Sequence, residues 1–502
     1  MFGKAPQQRN VDREAAPEGL HAANFAVCGS LALLLASSYI LNAYIFPSVA
    51  ELFPVGREIS TYCGVLFSVI VAMAAYRRPA VLKEGVWSTA CLSLFAIGLV
   101  LLWFGLGIGD PRLVALGSPF GGIGSVWFSV LVGLALIKLG AKRSMMVIPT
   151  AFAMKYALQF GLSLAGTSLP LEAALVLYFA CTALSYLLIR SRVRSMMALM
   201  RASESPTVLD ATNPSSFLPF SSFVYVSIFL FNAACGYAFG SQGEAMSQMA
   251  TLLTFVPVVI VFFIVVAARA RVSADSLYQL STLLVFGGFL LAPLSLVGAG
   301  SQVELQASSV LLYAGSDCFS VLTYFLIAAV GSRNPAGALS TSAFAFAASW
   351  LGVGCGALLV QAIEGMGAHD LGLLLWASAV VTFLFMLYNF TAMRKFSFEQ
   401  TIRGVRPVRP IPRVSAEGDG MEEGGDGSLF EQACDHVTSR FGLTPREGDV
   451  LRLLARGRTS PVIQEKLFLS HNTVKTHVRH IYAKMDIHSQ QELIDIVEGT
   501  SD

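Results

Sequence analysis

Ser470-His-Asn-Thr-Val-Lys-Thr-His-Val-Arg-His-Ile-Tyr-Ala-Lys-Met485 reads as a helix with two unlike faces. Ser470 is a good N-cap, its hydroxyl placed to accept from the amide of Thr473. On a 3.6-residue period Val474, Val478, Ile481 and Met485 share one side, while Asn472, Lys475, Thr476, Arg479 and Ala483 share the other. The first side is fit for a core. The second carries amide, hydroxyl and cationic groups, with Ala483 small enough to let a backbone come close. That is the chemistry a helix in the DNA major groove uses against base edges and phosphates. A solvated helix face has a similar composition, so the choice rests on what precedes the helix.

Upstream, Leu443-Thr-Pro-Arg-Glu447 predicts another helix start. Thr444 is the cap, Pro445 the first helical position and Glu447 the capping-box partner, while Gly457 suits a left-handed stop. A short helix is expected from Pro461 to Leu467, with Ile463 and Leu467 one turn apart, and Phe468-Leu469-Ser470 makes the tight turn. Two short helices before an outward-facing one is the order of a helix-turn-helix.

Together, Leu443-Thr-x-Arg-Glu447, Ala455-x-Gly457, Ile463, Leu467-x-Leu-Ser470, Thr473-Val-Lys475, His477, Ile481, Lys484 and Glu492 resemble the signature of the LuxR/GerE-type helix-turn-helix. That family is a four-helix module of bacterial transcription regulators, and the similarity runs without a gap from about Leu443 to Val497. The resemblance implies double-stranded DNA as the partner. It also implies base and phosphate contacts from Lys475, Thr476 and Arg479, backbone contacts from Thr473 and Lys484, and a homodimer through the helix 489–497. Two departures stand out: Gln464 where Ala is common, and Met485-Asp486 in place of Leu-Gly, which leaves the end of the helix open.

The rest of the chain belongs to another solvent. Of 502 residues 55% are apolar and only 13% charged, and the mean hydropathy is +0.64, outside the usage of water-soluble domains. Twelve apolar segments of spanning length are predicted: 24–46, 59–76, 86–106, 113–139, 145–166, 170–190, 219–240, 249–268, 277–298, 305–330, 338–363 and 371–393. The first follows a polar start bearing Lys4, Arg9 and Arg13 with no small-residue cleavage site, as a retained signal anchor would.

Lys and Arg test that count. Alternate loops carry nearly all of them, from Arg77, Arg78 and Lys83 through Arg190, Arg192, Arg194 and Arg201 to Arg394 and Lys395, and the opposite loops hold only Arg57 and Arg112. By the positive-inside rule both termini are expected in the cytoplasm of a multi-pass inner-membrane protein, with membrane lipid as a second partner. The longest internal loop, Ser191 to Leu218, divides the spans six and six. This is similar to the major facilitator architecture, although the Gly-x-x-x-Asp-Arg signature of its transporters is missing after span two.

The expected fold is therefore all-α: a cytoplasmic segment (1–23), a twelve-helix transmembrane domain (24–393), a flexible linker (394–427) and a four-helix LuxR-type domain (428–502). The linker's roughly 35 residues give a mean reach of about 30 to 35 Å. Two charges lie inside spans, Lys155 and Asp317, and either they pair across the halves or one meets a small-molecule ligand. The eight cysteines are scattered, mostly in apolar runs, and Cys434 stands alone in the polar tail. No disulfide framework, metal site, cofactor site or catalytic constellation is expected. Three functions fit: a membrane-bound one-component transcriptional regulator sensing a small molecule or membrane signal, a secondary transporter with an attached regulatory domain, and a tethered module that binds protein.

Overall fold

The structure, a computed structural model, describes residues 17–164, 169–202, 206–213, 216–219, 222–240, 248–267, 272–297, 302–367, 371–405 and 427–501. Helices make up nearly all of it, and no strand occurs among the described residues. Nine of these helices are long and apolar enough to cross a membrane. Three shorter apolar ones, Phe223–Ala238, Leu253–Val265 and Ala379–Thr391, complete the twelve that hydropathy predicts.

The apolar helices form one bundle around Pro111–Leu139, the most enclosed of them, with 89% of its apolar window buried. Trp127 sits at its middle, fully buried, its indole N–H donating to Ser88 Oγ at 3.0 Å. Close packing relies on small residues, as expected where lipid is no less apolar than a side chain. Gly352 and Gly356 lie one turn apart in Ala338–Gly367 and press against the helix Phe223–Gly240, so that a Cβ on Gly356 would fall 2.0 Å from the Ala233 carbonyl oxygen.

Two parts of the chain differ from expectation. The segment from Ser191 to Leu218 is not simply a loop, because the sixth span continues as one helix, Leu171–Ala202. At 1.5 Å per residue that helix is about 48 Å long, well beyond a hydrocarbon core of about 30 Å. It persists because Val193, Met196, Met197 and Met200 keep a helical apolar stripe that stays buried. A further short helix, Pro206–Thr212, follows.

The expected flexible linker likewise begins as a docked segment. Ser397 caps the helix Phe398–Gly404, and Phe398 and Ile402 are buried. The Phe398 amide and the Ser397 hydroxyl both donate to Asp275 at 2.7 Å, and Arg333 donates to the Val405 carbonyl at 2.7 Å. Aromatic side chains at the membrane exit hold the chain down before it turns polar. The remainder, 406–426, lies outside the described residues, as do residues 1–16.

The C-terminal region has its own core, built from Cys434, Val437, Val450, Leu451, Leu454, Ile463, Val474, Val478, Ile481, Leu493 and Val497. Four helices, Pro445–Ala455, Ser460–Leu467, His471–Met485 and Gln490–Ser501, are the expected module. A fifth, Gly427–Arg440, precedes them and packs on the first and the last.

Candidate nucleic-acid interface and membrane ion pair

The helix His471–Met485, the reading helix of the helix-turn-helix expected from the sequence, starts where the sequence says it should. Ser470 Oγ accepts from the Thr473 amide at 3.2 Å and shares a 2.8 Å hydrogen bond with the Thr473 hydroxyl. Val474, Val478, Ile481 and Met485 are buried, and Asn472, Thr476, Arg479 and Ala483 are exposed. The helix ends on Asp486 at φ 55°, a left-handed cap that a short polar side chain tolerates where glycine would be at ease. That resolves the helix end left open by the Met485-Asp486 departure.

The helix that opens the module carries the full capping box. The Thr444 amide donates to Glu447 Oε2 at 2.8 Å and the Glu447 amide donates to Thr444 Oγ1 at 3.3 Å. Lys484, at the far end of the reading helix, donates to the same Oε2 at 2.7 Å and to the Gly442 carbonyl at 3.1 Å. Burial acting alone would raise the Glu447 carboxyl. The hydrogen bond from Lys484, with those from Thr444, outweighs it and holds the group below its usual value. Lys484 therefore ties the reading helix to the opening helix.

Other cations are also engaged within the domain. Arg452 meets Glu431 at 3.0 Å as well as Asp435 and Asp449, and Arg456 meets Glu431 at 2.8 Å, which clamps Gly427–Arg440 in place. Burial would lower the Arg452 pKa, yet the hydrogen bond and charge of Asp435, with the other two acids, raise it. Cys434 is buried beneath this clamp, and burial pushes its thiol up to about 11. Gln464 donates to Ser460 Oγ at 3.0 Å within its own helix.

Lys475 does not face open solvent. Its ammonium pairs with the Asp210 carboxylate, which also accepts from Tyr76 OH at 2.8 Å. His471 Nε2 donates to the Thr207 carbonyl at 2.9 Å, Tyr482 OH to the Thr212 carbonyl at 2.6 Å, and the Gln490 amide to Asn213 Oδ1 at 3.1 Å. Burial pushes the Tyr482 phenol upward. These contacts, made across more than 260 residues of chain, leave no signal in local periodicity, and sequence analysis did not single out Tyr482, Asp210 or Asn213. Beside them lies a cavity of about 660 Å³, walled on one side by Lys475, Arg479 and Ala483 and on the other by Phe217, Pro219, Tyr225 and Thr341.

Inside the membrane body the two charged residues come together. Lys155 Nζ and Asp317 Oδ2 are 3.1 Å apart, both partly buried, and Tyr156 OH donates to the same oxygen at 2.6 Å. The Lys155 ammonium also lies 4.6 Å from the Tyr156 ring centroid. Sequence analysis missed two further buried acids. Glu58 accepts from Gln361 at 2.8 Å, and Glu84 pairs with Arg194 at 3.2 Å and bonds Tyr186. Each lies near a span end, where an acid is easily read as part of a loop.

Residues 442–497 match the family model of bacterial regulatory proteins of the luxR family, GerE. The uncharacterized response regulatory protein YgeK of Escherichia coli K12 is 43% identical over 65 residues, 12% of this chain and 44% of that protein. The nitrate/nitrite response regulator NarL of the same organism is 44% identical over 50 residues, 10% of this chain and 23% of that protein. The transcriptional regulatory protein LiaR of Bacillus subtilis is 42% identical over 60 residues, 12% and 28% respectively. The chain spans between 6% and 44% of the length of the curated relatives it matches. The membrane body aligns with a double-tryptophan mutant of XylE, a major facilitator superfamily protein, at a TM-score of 0.51 and 12% identity, over 77% of this chain and 99% of that one. That is a likeness of fold. Residues 442–497 are a LuxR-family helix-turn-helix domain, carried on a membrane-spanning body of major facilitator fold.

Proposed function

We propose that this chain is a membrane-bound one-component transcriptional regulator of a bacterium. Its twelve-helix body senses a small molecule or a membrane signal, and its helix-turn-helix binds promoter DNA. The observation that carries this is the outward side of His471–Met485, where Lys475, Thr476, Arg479 and Ala483 are aligned on a rigid core within a LuxR-family match. Thr473, Lys475, Thr476 and Arg479 contact the duplex, and Lys484 supports them from behind through Glu447. The distribution of Lys and Arg supports an inner-membrane location with both termini in the cytoplasm, where DNA is. The division into 1–23, 24–393, 394–427 and 428–502 follows, with a homodimer through the last helix as in the resemblance. The families matched are of regulator and transporter type, and no catalytic role is proposed.

For the signal we propose the Lys155 and Asp317 pair. A ligand bearing either charge competes for one partner, and the body can respond only as far as that ligand prefers one of its conformations. Footprinting with the purified full-length protein tests the reading: protection of a discrete site, lost in a Lys475→Ala plus Arg479→Ala variant, supports it, and no footprint at low salt from either wild type or an Asp210→Ala variant overturns it. The same ion pair favours a second reading, a secondary transporter with an attached regulatory domain. Substrate flux in vesicles that depends on Lys155 or Asp317 would establish it.

A further inference from the structure

The reading helix and the membrane body touch through a specific set of groups. All lie in one stretch, Thr207 to Asn213, which follows the sixth span and precedes the seventh. Its residues are enclosed: Leu209, Asp210, Ala211, Thr212 and Asn213 are all buried. They hold the helix-turn-helix at three separated points. His471 is at the start of the reading helix, Lys475 one turn on, and Tyr482 with Gln490 at its end and the start of the next helix.

We propose that Pro206–Asn213 is an intramolecular stand-in for DNA, which holds the helix-turn-helix in a state that cannot bind a duplex. The inference rests on the DNA-binding reading above. Asp210 offers Lys475 a carboxylate where a duplex would offer a phosphate, and one ammonium cannot serve both in full. Tyr76, on the membrane helix Gly56–Arg77, donates to the same carboxylate oxygen, so the acid is held by the membrane body. Arg479 and Ala483 complete the exclusion. They line a half-open cavity of about 660 Å³ whose opposite wall, Phe217, Pro219, Tyr225 and Thr341, belongs to the membrane body, and that wall stands where a duplex presenting a groove about 12 Å wide would have to come.

DNA binding then requires release. The apparent affinity of the full chain is reduced by the fraction of molecules that are released, and weakening the contact raises it. Every group to be changed lies on the membrane side, so the reading surface itself stays intact.

The test uses full-length protein in nanodiscs, a random-sequence duplex of about 30 base pairs at low salt, and four proteins: wild type, Asp210→Ala, Asn213→Ala, and Glu51→Gln as a control for lost negative charge. The two contact variants are expected to bind at least about tenfold more tightly than wild type and the control. Backbone amides of 471–485 should exchange faster in both variants. If wild type binds the duplex and neither contact variant binds more tightly, the stand-in is overturned while the DNA-binding reading survives. If no protein binds, both fall. Faster exchange without tighter binding also overturns the stand-in, because the contact would then be incidental to DNA.

Discussion

Lys484 and Glu447 close a bridge between the last turn of the reading helix and the first turn of the helix that opens the module. The same carboxylate completes the capping box with Thr444, so one side chain serves as cap and strut. Glu447→Ala removes both at once and leaves Lys484 without its acid. A destabilisation of about 1 to 2 kcal/mol is expected. Thermal unfolding followed by near-ultraviolet dichroism, with faster amide exchange across 445–455, checks it.

That carboxyl also sets a pH dependence. Its folded pKa lies below the ordinary 4.5, so its contribution to stability is complete above pH 4.5 and is lost as pH falls below that value towards the folded pKa. Wild type and Glu447→Gln should therefore differ most near neutrality and converge in acid. A stability gap between the two that stays constant from pH 7 to pH 3 would contradict this.

Lys155 and Asp317 are expected to behave as a unit. Lys155→Ala leaves a carboxylate partly buried among apolar side chains and should cost about 3 kcal/mol, read as reduced thermal stability in detergent. The double replacement Lys155→Met plus Asp317→Leu removes both charges and should recover most of that loss. If the pair also receives the signal, the double variant folds but no longer responds to any charged effector.

Helix contact at Gly356 leaves no room for a side chain. Gly356→Ala places a methyl group against the Ala233 carbonyl and should destabilise the bundle by about 3 kcal/mol, since both backbones must separate. Loss of monodisperse protein on size-exclusion chromatography would report it. Gly85, where an added Cβ meets nothing within 4 Å, should accept the same change with no loss.

Lys475→Ala has two opposed consequences. On the proposed DNA-binding reading it deletes a phosphate contact, and it also breaks the pair with Asp210. In an Asp210→Ala background only the first remains, and affinity should fall with a salt slope shallower by about 1. Arg479→Ala in that background should cost about 1 to 3 kcal/mol on a preferred site if Arg479 reads a base. Titrations at several salt concentrations separate the two.

Local patterns carried most of the fold. The capping residues Ser470 and Thr444, the stripe Val474, Val478, Ile481 and Met485, and the apolar runs of the membrane body each act over a few residues, and the structure has them where the spacing requires. Tertiary arrangement was harder to read. Leu171–Ala202 outruns the bilayer because its methionines find partners on the bundle, and Gly427–Arg440 is held by Arg452 and Arg456. The contact of Asp210 with Lys475 joins positions 265 apart, so no window along the chain contains both. The charges Lys155 and Asp317 are recognisable as exceptions within apolar runs, and their pairing is one of the two alternatives that the sequence leaves open.

Because Asp210 and Lys475 belong to one polypeptide, the opponent that, on the proposed reading, a promoter must displace is always present at fixed local abundance, on the order of millimolar for a tethered partner. Making more copies of the protein cannot dilute it. The fraction of molecules released at a given stimulus is thus set within each molecule separately, and it is the same in a cell holding few copies as in a cell holding many.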